Sequence, residues 1–333
     1  MSTAALRSAP GITIAKSAPI WRKDTPLKMK AYGQALVALA QRDPNVVCLG
    51  ADLTGPTETD LFRDQIPDRF FNFGVAEANL MCVASGMARE GDVPFVNTFS
   101  VFATRRALDQ VVLQIAYPNA NVKLVGFMPG LTSPGGPTHQ AIDDVAIMRA
   151  VPNMMVVEPA DGDQVADMVE AIAAHRGPVY MRIKRGEMPL IIPADAPKLA
   201  LGKLQPVRSG RDGTILASGV MVALALEAAD DLLARGIDVA VVNAHTLKPF
   251  DREGVLDLAR TGKPLLTAEN HSVVGGLGSA VAEILSEAGM AVPFARVGIP
   301  DVFADGGTAS FLFERYGLSA AAIARAFIAI VDR

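Results

Sequence analysis

Glu77 lies in NFGVAEANL, and His139 closes the turn-rich stretch GLTSPGGPTHQ (Gly130–Gln140). Asp52 follows the apolar VVCLGA, and Thr98 and Phe99 follow PFVN. A carboxylate and an imidazole are the side chains best suited to handling protons near neutral pH. Glu77 has Val75, Ala76, Ala78 and Leu80 around it, with little compensating charge. At a helix start such a carboxylate gains from the helix dipole. In an apolar setting its pKa rises instead, and it can share a proton with a ligand nitrogen; the sequence leaves both readings open. His139 has three possible roles: a cap, a loop side chain bonded to backbone, or a catalytic group. His175, in AHRG, reads as a helix C-terminal histidine, and His245 and His271 fall near strand ends. None of the four has metal-ligand spacing. GGLGS (Gly275–Ser279) opens a helix without the full G-x-G-x-x-G spacing, and no P-loop or G-x-S-x-G elbow is present.

The elements that position these residues alternate along the chain. VVCLGADL (Val46–Leu53), PFVNTF (Pro94–Phe99), VKLVGF (Val122–Phe127), MMVVEP (Met154–Pro159) and PVYMRI (Pro178–Ile183) predict buried strands. MKAYGQALVALAQRD, VAEANLMCVASGMARE, FATRRALDQVVLQIAY, DDVAIMRAV and DGDQVADMVEAIAAH predict the helices between them. Strands alternating with helices imply parallel sheets joined by crossovers. The same alternation resumes in TILASG, DVAVVNAHTL, PLLTAEN and ARVGI. The fold class is therefore α/β, two α/β domains with mainly parallel sheets. The expected organisation is a loose N-terminal extension over 1–26, a first domain over 27–192, a Pro- and Gly-rich linker over 193–203, and a smaller domain over 204–333. Ligands of open α/β sheets bind beyond the carboxyl ends of the strands, where Asp52, Phe99 and the Gly130–Gln140 loop fall.

Composition narrows the partners. The 333 residues carry a net charge of −4 with no basic stripe, which argues against nucleic acid and anionic membranes. No run of about 18 apolar residues predicts a membrane span. Cys48 and Cys82 both sit in apolar runs and read as buried thiols, consistent with a reducing cytoplasm.

FFNFGVAEANL, PFVNTFSVFATRRALDQV, GGPTHQAIDDVAIMRAVPNMMVVEPAD and PVYMRIKRGEMP, in that order, resemble the transketolase family, and more narrowly the C-terminal subunit of a split transketolase. The similarity runs from about Met29 to the end. It implies a pyrimidine-binding domain followed by a transketolase C-terminal domain. It also implies thiamine diphosphate as cofactor, which acts as an electron sink, and a two-carbon ketol transfer from a ketose-type donor to an aldehyde. The family's G-D-G motif and later Asn, which hold Mg2+ and the diphosphate, have no counterpart; ADGDQ lies at a helix start in the wrong place. The resemblance thus implies a partner N-terminal subunit carrying the metal, in a hetero-tetramer with two copies of each chain. Decarboxylating relatives, the deoxyxylulose-phosphate synthases and the β subunits of 2-oxoacid dehydrogenases, share this domain pair. A non-catalytic structural or regulatory subunit is the remaining alternative.

Carried over residue by residue, Glu77 matches the glutamate that bonds the pyrimidine ring nitrogen. Phe99 and Phe102 match the aromatic wall around that ring, a role compatible with core packing. Asp52 matches an acidic residue near the thiazolium, and His139 a histidine that reaches the donor's oxygens. Arg185, in KRGEMP, matches an arginine that pairs with a sugar phosphate. Three polar substrate contacts of the family are replaced. Phe127 stands for a phosphate-binding histidine, Pro134 and Gly135 for an acidic pair, and Pro56 for a serine. Phe127 is accordingly expected at the substrate, and the substrate is expected to be non-standard.

Overall fold

The strands that the apolar runs predict line up side by side. The structure, a computed structural model, describes residues 20–331. Its first sheet has seven strands in the order Thr246–Lys248, Met155–Val157, Val179–Ile183, Lys123–Phe127, Val93–Phe99, Val46–Gly50 and Phe70–Asn72. Every pairing in it is parallel except that of Thr246–Lys248. Alternate strand residues fill two cores, as they must when both faces are covered. Phe95, Phe99, Val125 and Phe127 pack with helices Ala31–Arg42 and Gly162–Ala174, while Val96 and Leu124 pack with Glu77–Arg89 and the helical stretch 102–116.

The second sheet runs Phe294–Ile299, Leu265–Ser272, Gly213–Ala217, Val239–Asn243 and Gln205–Arg208, with only the last strand antiparallel. Helices Met221–Leu233 and Ala320–Val331 share one core against it. The mainly parallel α/β architecture follows the sequence reading. Among the described residues no helix is long and apolar enough to cross a membrane.

Three details differ from expectation. DVAVVNAHTL is not one strand: Val239–Asn243 stays in the second sheet, whereas Thr246–Lys248 crosses to the first and pairs with Met155–Val157. The chain turns at Ala244–His245, where the His245 carbonyl accepts from the Glu158 N–H at 2.9 Å. Residues 20–26 of the expected loose extension are docked. Trp21 is buried in the second core, and Arg22 bonds Glu227 through its amide and Asp230 through its guanidinium; residues 1–19 lie outside the described residues. Cys48 is buried as expected, but Cys82 is exposed. The inward face of Glu77–Arg89 is made by Leu80, Met81, Ala84 and Ser85, so position 82 points away from the sheet.

The domains meet through buried polar contacts. His271, fully buried on the second sheet, accepts from the Ala146 N–H at 3.3 Å through Nε2 and donates to the Ser272 carbonyl at 2.8 Å through Nδ1. Both nitrogens suit a neutral ring, and burial pushes its pKa down from 6.5 to about 4. Because the folded value lies below the unfolded one, this stability is fully present above pH 6.5 and is lost as the pH falls toward 4. Acidification across that window is expected to remove up to about 3 kcal/mol. Urea unfolding of the wild type and His271→Gln at about pH 7.5 and about pH 4.5 tests this linkage. Equal acid losses in the two proteins would overturn it.

Candidate active site

Glu77 follows the edge strand Phe70–Asn72 after a turn in which Gly74 takes φ 66, and it is the first residue of helix Glu77–Arg89. Its side chain is 2 % exposed. Oε1 accepts from the Arg106 guanidinium at 3.0 Å, while Oε2 is buried with no hydrogen-bond partner among the described residues. A buried, unpaired carboxylate oxygen is costly and calls for a partner such as a ligand, a water or an ion. The setting is less apolar than the local sequence implies, because Arg106 reaches it from another element.

Arg106 ends a π-helical turn, Phe102–Arg106, that begins just beyond strand Val93–Phe99. Such turns widen the helix and recur at functional sites. The guanidinium carbon lies 4.2 Å from the Phe102 ring centroid. Phe102 stacks on Phe99 at 5.9 Å and 24°. His139 meets both rings edge-on, at 5.4 Å from Phe102 and 6.5 Å from Phe99. The structure thus joins Glu77, Arg106, Phe102, Phe99 and His139 in one continuous cluster at the carboxyl end of the parallel strands.

His139 is partly exposed, and its Nδ1 shares a hydrogen bond with Thr138 Oγ1 at 2.9 Å. Its amide donates to the Gly136 carbonyl at 2.9 Å, which tightens the turn that presents the ring. A Cβ on Gly135 would lie 2.9 Å from His139 Cβ and 3.0 Å from its Cγ. Glycine at 135 is therefore a packing requirement of this histidine position as well as the loss of a polar contact.

Phe127 does not line the cluster. It is fully buried, and its ring meets Tyr32 edge-on at 5.3 Å in the core beneath the sheet. The expectation that Phe127 contacts substrate is corrected by burial: it pairs in register with Phe99 on the next strand and shares its face, but its side chain is 0 % exposed against 9 % for Phe99 and is covered by Tyr32 of helix Ala31–Arg42. Asp52 and Arg185 sit on exposed loops just past strands Val46–Gly50 and Val179–Ile183, at the same sheet edge as the cluster. Asp52 adopts φ 56, and its amide donates to Asn72 Oδ1 at 3.1 Å. Arg185 has no ion-pair partner among the described residues. Among the described residues no hydrogen bond or ion pair joins either of them to the cluster.

Two residues that the sequence did not single out support the site. Arg106 lies within ATRRAL, where nothing local distinguishes it from Arg105; only its contact with distant Glu77 does. Glu58, buried at φ 61, accepts from the Gly33 amide and from the Gly186 amide, both at 3.1 Å, and so fixes the base of the Arg185 loop. Burial raises its pKa against those two bonds. The glycine-rich GGLGS is not an anion site. The Leu277 and Gly278 amides at the start of helix Leu277–Glu287 already donate to the Glu269 carboxylate at 2.7 and 2.8 Å.

Comparison with known proteins places this geometry in context. The transketolase pyrimidine binding domain matches residues 27–190, and the transketolase C-terminal domain matches residues 202–323. A 6-deoxy-6-sulfo-D-fructose transketolase subunit of Clostridium sp. strain MSTE9 is 45 % identical over 94 % of this chain and 95 % of its own length. A 1-deoxy-D-xylulose-5-phosphate synthase of Synechococcus sp. is 37 % identical over 93 % of this chain, which spans 48 % of that enzyme. Among solved structures, a split-gene transketolase described as an inactive β4 tetramer is 44 % identical. It superposes with a TM-score of 0.84 over 91 % of this chain and 97 % of that one.

Proposed function

This chain belongs to the transketolase family, and from that premise we propose that it is the C-terminal subunit of a split, thiamine-diphosphate-dependent transketolase. The reaction moves a two-carbon ketol unit from a ketose-type donor to an aldehyde. The observation that carries this reading is the buried, unpartnered Glu77 Oε2 beside two phenyl rings and an imidazole. An aminopyrimidine fits this donor and acceptor set: a flat ring for the Phe99 and Phe102 wall, and a ring nitrogen for Oε2. When bound, thiamine diphosphate supplies a nucleophilic carbon and an electron sink.

The chain's own residues then have separate tasks. Glu77 holds a proton at Oε2, while Arg106 fixes Oε1 and leaves the carboxyl a single working oxygen. Phe99 and Phe102 exclude water and fix the ring plane. His139 exchanges protons with the donor's oxygens through Nε2, the nitrogen that Thr138 leaves available. Arg185 is the cation for a terminal anionic group of the sugar. Mg2+ and the diphosphate fall to a partner N-terminal subunit, in an assembly with two copies of each chain.

With Phe127 in the core and a glycine at 135, the loop offers fewer polar contacts than a phosphosugar requires. The substrate class that fits is a ketose whose terminal group is met by Arg185 alone, as a sulfonate or another monoanion can be. The related subunit of Clostridium carries a sulfosugar in its name. The similarity to deoxyxylulose-phosphate synthase keeps a decarboxylating reading in view. One experiment separates these readings: the chain alone and the chain with its N-terminal partner, each with thiamine diphosphate and Mg2+, receive a sulfosugar donor, xylulose 5-phosphate with ribose 5-phosphate, or pyruvate. The expected result is turnover only in the pair, with the sulfosugar favoured by at least about tenfold. Full activity on the phosphosugar pair, carbon dioxide release from pyruvate, or turnover by the chain alone would each sink a part of the proposal.

A further inference from the structure

The loop that carries His139 makes many of its fastening bonds to the other domain. Asn270 is fully buried near the carboxyl end of strand Leu265–Ser272. Its Oδ1 accepts from the Leu131 amide at 2.9 Å, and its Nδ2 donates to the Pro129 carbonyl at 2.9 Å. Between those two residues Gly130 takes φ 54, and a Cβ there would lie 2.3 Å from both the carbonyl oxygen and Oδ1 of Asn270. The glycine thus exists for the close approach of this amide. At the far end of the loop, Gln140 is buried and its Nε2 donates to the Asp305 carbonyl at 3.0 Å and to the Ser133 carbonyl at 3.3 Å. The Gly307 amide donates to the Pro134 carbonyl at 3.3 Å, and the Ser272 amide to the Ile142 carbonyl at 2.8 Å.

We propose that Asn270 is a positioning residue for the transferase reaction, gripping the His139 loop from the C-terminal domain, with Gln140 as the second point of attachment. Two side-chain bonds from one buried amide to consecutive segments of a turn fix that turn's height above the sheet. His139 then has little freedom, because Gly135 packs under it and Phe102 stands against its ring. The C-terminal domain contributes none of Glu77, Phe99, Phe102 or His139. Its share in catalysis lies in holding this loop. A displacement of about 1 Å at a proton-handling group can cost about a hundredfold in rate.

The structural half of the proposal is tested on the chain alone. Hydrogen–deuterium exchange over residues 130–140 is expected to quicken at least about tenfold in Asn270→Ala, with the sheet strands unchanged. Unchanged exchange over the loop would overturn the grip. The catalytic half rests on the transketolase reading and uses the assembled pair. Asn270→Ala is expected to lower kcat/KM for the donor about a hundredfold while the dissociation constant for thiamine diphosphate stays within about twofold. Acting through His139, it adds nothing further in the Asn270→Ala His139→Ala double variant. Multiplied losses, or weakened cofactor binding, would assign Asn270 a merely structural role. Gln140→Met, which keeps the volume and removes the Asp305 bond, runs the same cycle if Asn270→Ala does not fold. An inactive wild-type pair defeats the transketolase reading and leaves the exchange result standing.

Discussion

Glu77→Gln in the assembled enzyme is expected to lower kcat by about a thousandfold while leaving fold and assembly intact. Glutamine keeps the volume, and its carbonyl oxygen still accepts from Arg106. What it removes is the ability of the second atom, Oε2 in the wild type and an amide nitrogen in the variant, to hold and release a proton. That atom has no partner among the described residues, so the substitution breaks no internal bond. Nor does it strand a buried cation, because the Arg106 side chain is about half exposed (48 %) and stays solvated. The stability change is therefore expected to stay below about 1 kcal/mol. Steady-state turnover together with thermal unfolding of the same samples checks both statements. Unchanged turnover would turn the chain into a non-catalytic subunit.

Glu77 was legible in the sequence because its setting is local: an edge strand, a turn glycine and a helix start within a few residues. The alternation of β-branched runs with amphipathic helices likewise carries the architecture, since parallel sheets covered on both faces demand it. Contacts made across the chain were not legible. Arg106 reads like its neighbour Arg105, yet one guanidinium pairs with buried Glu77 and the other with Asp143 on the surface. Phe127 shows the opposite error. A resemblance placed it at the substrate, but its side chain is fully buried beside Phe99, its partner in register, under the cover of Tyr32. Thr246–Lys248 looked continuous with Val239–Asn243, because a strand that changes sheets leaves no mark in hydropathy. Cys82 was misjudged for a related reason: the helix is apolar nearly all round, so composition alone does not say which stripe faces the sheet.

Arg182→Met is expected to destabilise the chain by about 3–5 kcal/mol near neutral pH. Arg182 is the next-to-last residue of strand Val179–Ile183 and is fully buried. Its Nε donates to Asp144 at 2.9 Å, Nη1 to both oxygens of Glu158 at 3.3 and 3.2 Å, and Nη2 to the Asn270 carbonyl at 3.0 Å. Tyr180 adds a 2.7 Å bond to Asp144. Methionine fills the stem's volume but leaves two carboxylates in the interior without a cation, and this stranding outweighs the gain from removing one buried charge. Burial already raises the pKa of Glu158 while Arg182 holds it down. Without the guanidinium, the folded value rises further above the unfolded one. The variant's deficit is then smallest in acid and grows as the pH rises through that folded value. Urea unfolding of both proteins at about pH 5 and about pH 8 reads this directly. A deficit below about 1 kcal/mol, or one that shrinks toward alkaline pH, would refute the argument. The same guanidinium grips the backbone of Asn270, the residue whose side chain holds the His139 loop. Loop exchange in Arg182→Met should therefore quicken before the sheets do, because the ion network and the substrate loop share that one residue.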